Sequence, residues 1–243
     1  MKKRNQKQKY LWLGIAFLAA FVIWTVAVRF VDVQPIGPNN SSVGFATLNG
    51  FVHDRIGVHW TLYTLTDWLG LIPFGVVFGF AVLGLVQMIQ RKSFFKVDRS
   101  ILVLGGFYLV VGAAYLLFEK AVVNYRPVLV EGILEASYPS STTVLALCVI
   151  PTAMMQLHSR IRNASVRKIA LALLAVFTAF MVIGRLISGV HWLTDILGGT
   201  LLSIGLVSLY AALCGIGAGN DNDKANAPCA AAPKKHDADA EIE

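Results

Sequence analysis

Long runs of apolar residues constrain the fold of this chain more than any other feature of its sequence. Six runs occur, most of them close to the ~20 residues that an α-helix needs to cross the ~30 Å core of a bilayer. Backbone groups find no water in that core, so such segments cross it as helices. We therefore predict an all-α, polytopic membrane protein with six transmembrane helices. The predicted spans are Tyr10 to Val31, Leu71 to Ile89, Ile101 to Phe118, Thr142 to Leu157, Ile169 to Ile187 and Leu193 to Ile216.

The 21 Lys and Arg residues are unevenly distributed among the segments that join the predicted helices. They concentrate before the first helix, after the second and after the fourth, whereas the three intervening segments contain few. Because positively charged loops are retained on the cytoplasmic side, both termini are predicted to be cytoplasmic and the three intervening segments to face outside. The net charge of +7 follows from this pattern, and no nucleic-acid partner is predicted.

The two ends of the chain require separate interpretation. Basic residues precede the first apolar run, as in a signal peptide, but this run exceeds the roughly 7 to 15 residues of a signal-peptide core and no clear cleavage site follows. We interpret it as a retained helix. Residues 217–243 are polar and aperiodic, which favours a disordered cytoplasmic tail. The sequence thus predicts a membrane domain over 1–216 and a tail over 217–243.

The third outer segment contains three side chains suited to phosphate chemistry, namely Arg185, His191 and Asp195. If His191 and Asp195 lie on the first turn of the sixth helix, their spacing of four places them on one face. The aspartate would then accept the ring N–H of the histidine and leave the other ring nitrogen as a nucleophile or base. Arg185 lies at a span end, where an ionisable group is usually paired or functional.

The second outer segment adds cations, hydroxyl groups and a helix start to the same face. Pro139 followed by Ser and Thr residues favours a helix N-terminus, whose free N–H groups bind anions. Taken one at a time, these residues also have structural interpretations: an N-cap at Ser140, interfacial placement of Lys120 and a charge pair for Arg185. Their coincidence on one face predicts a phosphate site. Its predicted phosphate ligands are Lys120, Arg126, Ser140, Ser141, Thr142 and Arg185.

These residues resemble the type 2 phosphatidic acid phosphatase superfamily, whose three signatures read K-x6-R-P, P-S-G-H and S-R-x5-H-x3-D. Arg185-x5-His191-x3-Asp195 has the full spacing of the third signature, with Gly where the family usually has Ser. Arg126 and the following proline match the end of the first, although Lys120 is one residue closer than the family lysine. The resemblance implies a nucleophilic His191 that forms a phosphohistidine, Asp195 as its orienting residue, and no metal or cofactor.

The second signature departs from the family pattern, because Pro139-Ser140-Ser141-Thr142 stands where the family has P-S-G-H. Thr142 occupies the position of a histidine that, in the family, protonates the leaving oxygen. A threonine hydroxyl cannot donate a proton effectively near neutral pH. His53 and His59 in the first outer segment are possible substitutes, but the sequence does not place them near Thr142, and we favour a structural role for both.

The sequence therefore predicts a membrane phosphatase that acts on a lipid phosphate or diphosphate at the outer face of the cell membrane. Loss of the general acid affects an alkyl phosphate most, since its leaving group is an unstable alkoxide. One alternative is a catalytically weakened or inactive member that binds lipid phosphate, which Thr142 favours. A small transporter or channel is a further alternative, but its polar groups would be expected within the spans.

Overall fold

The computed structural model describes residues 2–215, and this part of the chain is all-α, as predicted. The proposed tail over 217–243 lies outside the described residues. Three isolated β-bridges are the only strand-like pairings within 2–215. The eight helices are α1 (Lys2–Phe30), α2 (Ala46–Ile56), α3 (Trp60–Leu69), α4 (Leu71–Arg91), α5 (Arg99–Lys120), α6 (Ser141–Arg160), α7 (Ala164–Ile187) and α8 (Leu193–Cys214).

Six helical segments are long and apolar enough to cross a membrane, which confirms the predicted number of spans. Five of them are α1, α5, α6, α7 and α8, and the sixth is formed by α3 and α4 together over Trp60–Arg91. The start predicted for this span, Leu71, is the first residue of α4, and the helical segment extends further back to Trp60. The backbone remains helical before Leu71, because Gly70 has helical dihedral angles and its N–H donates to the Thr66 carbonyl at 3.0 Å.

The first and last spans pack closely against each other at two glycines. A Cβ atom on Gly14 of α1 would lie 2.6 Å from Leu209, and one on Gly205 of α8 would lie 2.8 Å from Leu18. Small residues at such crossings let helix backbones approach within a bilayer, where packing contacts replace the hydrophobic effect as the driving force. The N-terminal helix is thus an integral part of the bundle.

The first connecting segment contains a short helix, α2, that the sequence analysis did not predict. Its N-cap residue is Phe45, which has left-handed dihedral angles and makes no side-chain capping bond, so the usual start signal is missing. Long-range hydrogen bonds hold it in place instead. Asn49 of α2 donates to Thr194 Oγ1 at 2.9 Å and accepts from Thr194 N at 3.2 Å.

The three segments predicted to be outer meet at one end of the bundle. Gly44 N of the first segment donates to Asn124 Oδ1 of the second at 3.1 Å. His59 N of the first donates to Ser188 O of the third at 3.0 Å. At Gly189 the backbone has a φ of +70° and passes so close to Gly57 that a Cβ atom would overlap its carbonyl. These contacts bring the candidate site residues together.

Candidate functional site

The second connecting segment is folded back on itself, which places Arg126 beside Ser137. Antiparallel bridges pair Tyr125 with Ala136. Arg126 N donates to the Glu135 carbonyl at 3.1 Å, and Ser137 N donates to the Asn124 carbonyl at 2.9 Å. Two parts of the sequence that are about ten residues apart therefore line the site side by side.

His191 is buried at the end of the third segment, just before α8 begins, and it lines the main cavity of the protein. Its Nδ1 atom lies 3.2 Å from the carbonyl oxygen of Ser137. Because a carbonyl can only accept, this contact assigns the ring proton to Nδ1. Nε2 is buried and has no hydrogen-bond partner among the described residues. The ring thus leaves the lone pair of Nε2 available.

The environment of His191 favours the neutral ring. Burial lowers the pKa of His191 well below its ordinary value, and the positive charges of Arg126 and Arg185 lower it further. The neutral form is the one with a lone pair on Nε2. A buried, neutral histidine with one free nitrogen has the properties of a nucleophile or a general base.

Asp195 lies beside His191, but the expected direct hydrogen bond is not formed, because Nδ1 and Asp195 Oδ2 are 3.6 Å apart. The argument from spacing assumed that both residues lie on one helix. His191 instead precedes α8, and Trp192 between them has an extended backbone. Oδ2 accepts from Trp192 N at 2.9 Å and from the hydroxyl of Ser137.

Arg126 is buried and lines the same cavity as His191. Its Nε atom lies 3.0 Å from Glu135 Oε2, close enough for an ion pair, although the alignment is not that of a hydrogen bond. Nη1 is buried and has no hydrogen-bond partner among the described residues. Arg126 therefore retains a donor that an anion in the cavity can use.

Arg185 is 1% exposed and lies behind the cavity wall rather than on it. Its Nη1 atom is 3.6 Å from Asp67 Oδ1 and 3.4 Å from Thr66 Oγ1, and its guanidinium carbon is 4.8 Å from the centre of the Tyr63 ring. All three partners belong to α3. Helix α3, which lies before the predicted start of the second span, therefore holds Arg185 in place.

The hydroxyl side chains at the start of α6 differ in their placement. Ser141 and Thr142 line the cavity. Ser140 is fully buried and does not line it, since its hydroxyl accepts from Thr143 Oγ1 at 3.0 Å and its N–H donates to the Asp195 carbonyl at 3.2 Å. The N-terminal turn of α6, whose first N–H groups have no partner within the helix, thus begins at the cavity.

Lys120 is exposed at the end of α5 and does not line the cavity. The preceding residue, Glu119, lines it instead. Successive side chains on an α-helix point about 100° apart, so a shift of one residue changes which of them faces a cavity. Of the six predicted phosphate ligands, the structure places Arg126, Ser141 and Thr142 on the cavity wall.

His53 and His59 of the first segment contact backbone carbonyls and are not part of the cavity wall on which Thr142 lies. His53 Nε2 lies 3.2 Å from the Gly189 carbonyl, and His59 Nε2 lies 2.9 Å from the Ile56 carbonyl. Neither residue lines the main cavity. The structural role favoured for both histidines therefore agrees with their contacts.

The main cavity has a volume of about 480 Å³ and is lined by both polar and apolar side chains. Its polar lining includes Arg126, Thr142 and His191, together with three carboxylates that the sequence analysis did not select. These carboxylates are Asp67, Glu119 and Glu135. Apolar side chains of α4, α5 and α6 also line the cavity. The largest of them are Leu71, Phe74, Tyr115, Phe118 and Leu145.

Ser137 is the site residue that sequence reasoning missed most clearly. It is buried and contacts both His191 and Asp195. Its position next to the Tyr-Pro pair that precedes α6 is the only local signal, and serine is common near helix starts. The contact depends on the folding of residues 121–140 against α8, which no local pattern reveals.

Comparison with known proteins shows that part of the chain is similar to a protein family. The family model described as "PAP2 superfamily" matches residues 117–214, which include Arg126, Ser137, Thr142, His191 and Asp195. No curated protein matches the chain. The solved transmembrane PAP2 type phosphatidylglycerolphosphate phosphatase of Bacillus subtilis is 20% identical, with 83% of this chain and 94% of that chain covered and a TM-score of 0.47. The family match covers 98 of the 243 residues, and over that part this six-span membrane protein is similar to the PAP2 superfamily.

Proposed function

We propose that the protein is a phosphatase that hydrolyses a lipid phosphate or diphosphate through a phosphohistidine at His191. One observation supports this proposal above the others. His191 Nε2 is a buried nitrogen without a partner, in a cavity that also contains the free Nη1 of Arg126. A neutral nucleophile beside a cationic anion-binding group is the arrangement that attack on a phosphate ester requires.

The proposed reaction has two steps. In the first, Nε2 forms a bond to phosphorus while the bond from phosphorus to the leaving oxygen breaks, and that oxygen leaves with the electron pair. In the second, water attacks the phosphohistidine, the N–P bond breaks, and inorganic phosphate is released. Arg126 and the N–H groups of Ser141 and Thr142 hold the phosphoryl oxygens, while Arg185 adds positive charge from behind the wall. Lys120, exposed outside the cavity, has no part in this scheme.

The apolar lining of the cavity favours a lipid over a soluble phosphate ester. A head group at Arg126 and His191 would have its hydrocarbon chain beside Leu71, Phe74 and Phe118, where contact with apolar side chains replaces contact with water. A soluble sugar phosphate would leave these apolar side chains uncovered. The wall is formed by helices that cross the bilayer, so a lipid could reach it from within the membrane.

Thr142 favours a diphosphate among the lipid substrates. A lipid diphosphate releases a phosphate group that is a stable anion, whereas a lipid monophosphate must release an alkoxide, which needs a proton. No histidine replaces the missing acid on the cavity wall, where His191 is the only histidine among the described residues. We therefore expect hydrolysis of diphosphates to exceed that of monophosphates.

The assay that tests this function measures phosphate released by the purified protein in detergent micelles. The panel contains a polyprenyl diphosphate, the matching monophosphate, phosphatidic acid and a soluble ester such as glycerol phosphate. We expect the lipids to release phosphate, with the diphosphate hydrolysed faster than the monophosphates. We expect little release from the soluble ester. Release from the soluble ester alone would exclude a lipid phosphatase.

A lipid phosphate binding protein without turnover is the second candidate, and Thr142 is the observation that favours it. Such a protein would bind the same lipids through Arg126 and the start of α6. It would release no phosphate above a His191→Ala control from any substrate of the panel. The same assay therefore separates the two functions.

We also propose that the site opens to the outside of the cell, since the connecting segments that are rich in Lys and Arg lie at the opposite end of the bundle. Labelling with a membrane-impermeant thiol reagent tests this orientation in a variant without the three native cysteines. A cysteine at Ile133, which is 62% exposed beside the site, is expected to react in intact cells. One at Phe95, 91% exposed in a basic segment, is expected to react only after lysis. The reverse pattern would place the site in the cytoplasm.

Activity is expected to be insensitive to metal chelation. The proposed reaction uses a protein nucleophile and arginine side chains, and the described residues contain no group of three or more potential metal-ligating His, Cys, Asp or Glu side chains. Phosphate release should be unchanged within twofold after dialysis against EDTA. A loss that added Mg²⁺ or Zn²⁺ restores would contradict the proposed mechanism.

A further inference from the structure

Ser137 is held in a fixed position between the second segment and α8. Its N–H donates to the Asn124 carbonyl at 2.9 Å. The following Tyr138 packs against Gly198 of α8, where a Cβ atom would lie 2.5 Å from the ring, and its hydroxyl lies 2.7 Å from Thr25 Oγ1. The side chain of Ser137 is buried as a result. These contacts fix the position of the Ser137 hydroxyl group.

The Oγ atom of Ser137 lies between His191 and Asp195. Oγ lies 3.2 Å from His191 Nδ1 and donates its proton in a short hydrogen bond to Asp195 Oδ2. With the Oγ proton directed to the carboxylate, the oxygen lone pairs face the Nδ1 proton. The Ser137 carbonyl oxygen, also 3.2 Å from Nδ1, is the second acceptor of that proton. One residue thus supplies both acceptors of the His191 ring.

This placement has a consequence for the attack on phosphorus. When Nε2 forms its bond to phosphorus, positive charge develops on the imidazole ring and its Nδ1–H group becomes a stronger donor. The carboxylate of Asp195 is 3.6 Å away and makes no hydrogen bond to the ring, so its hydrogen-bonded connection to the ring runs through the Ser137 hydroxyl. Polarised chains of hydrogen bonds of this kind are stronger than separate bonds.

We propose that Ser137 is a positioning residue that couples Asp195 to the nucleophile, keeping the proton on Nδ1 and the lone pair of Nε2 directed into the cavity. The inference rests on the proposed function, because it assigns Ser137 a role in the attack by His191. It differs from a purely structural role, in which the hydroxyl only holds residues 137–140 against α8.

Substitution Ser137→Ala tests the proposal. It removes the hydroxyl and keeps the carbonyl acceptor, so the ring should keep its tautomer and lose its link to Asp195. We expect kcat to fall about 10- to 100-fold, the range for loss of one hydrogen bond to a charged group, with KM changed less than threefold. Ser203→Ala is the matched control, since Ser203 is also buried, donates to Gly199 O of its own helix and does not line the cavity. This control should retain full activity.

A double-mutant cycle with Asp195→Asn separates the two roles. If Asp195 acts through Ser137, the second substitution adds little to the loss caused by the first, and the double variant should be no more than about threefold slower than the slower single variant. Losses in kcat that multiply would contradict the coupling. Lower thermal stability with unchanged kcat would also contradict it, because that result indicates a purely structural role.

The outcomes also distinguish this inference from the proposed function. Equal phosphate release by the unmodified protein and by His191→Ala refutes both. A large loss in His191→Ala combined with full kcat in Ser137→Ala refutes only the role proposed for Ser137 and leaves the proposed function standing. If the alanine variant does not fold, Ser137→Cys replaces it, because a thiol has the same connectivity as the hydroxyl and is only a weak donor. Its kcat is then expected to fall, and full kcat in this variant would refute the coupling.

Discussion

Replacing His191 with alanine is expected to abolish phosphate release, with a loss on the order of 10⁴-fold or more in kcat. The reason is that the proposed bond to phosphorus forms at Nε2, and no other nitrogen of a histidine lines the cavity among the described residues. The measurement is phosphate release from a lipid diphosphate, combined with mass spectrometry of rapidly quenched protein. Phosphorylated His191 should be detected in the unmodified protein and be absent from the variant.

Two further measurements make the His191 result specific. His158→Ala is the matched control, because His158 is exposed in the last turn of α6, outside the site, and its loss should change kcat less than twofold. The pH profile is the second measurement. Because the pKa of His191 is lowered, the neutral, reactive ring should persist to more acidic pH than an ordinary histidine would allow. Full activity of His191→Ala would refute the phosphohistidine mechanism.

Replacing Thr142 with histidine is expected to raise the turnover of a lipid monophosphate by roughly 10²-fold, the lower end of the range for general acid catalysis. Thr142 lines the same cavity as His191 and Arg126, so the new imidazole would extend into a space of about 480 Å³. The substituted side chain supplies the proton that an alkoxide leaving group lacks. A diphosphate should gain less, because its leaving group is already a stable anion.

Binding measurements distinguish added acid catalysis from a better fit. Affinity for inorganic phosphate or vanadate should change less than threefold in Thr142→His, since an acid that acts only in the transition state contributes little to ground-state binding. Thr142→Asn is the matched control, because an amide adds polar atoms but no transferable proton. It should not raise turnover. If the unmodified protein matches the histidine variant on monophosphates, another group donates the proton.

If the unmodified protein and Thr142→His hydrolyse monophosphates equally, the candidates for the proton donor are the carboxylates on the cavity wall. Glu135 pairs with Arg126, Asp67 pairs with Arg185, and Glu119 lies at the end of α5. Each lines the cavity that contains His191. Glutamine or asparagine at each position would then show which carboxylate supplies the proton, as a selective loss on monophosphates.

Local sequence patterns were sufficient for the architecture. Each span is an apolar run that must satisfy its backbone groups internally, so its helical structure follows from composition and length. The family signatures around Arg126 and His191 were also recognisable from residue types and short spacings. These features depend on residues within a few positions of one another, which is why the six spans and several residues that line the cavity could be predicted.

The relation of His191 to Asp195 was decided by tertiary structure alone. Their spacing of four residues predicted direct contact, but the chain becomes helical only at Leu193, and Ser137 from another segment occupies the space between them. Likewise, α3 holds Arg185 through Asp67, and the orientation of α5 directs Glu119 rather than Lys120 into the cavity. Such contacts join residues up to about a hundred positions apart. They arise from how the helices and connecting segments pack, and a local pattern carries no information about that packing.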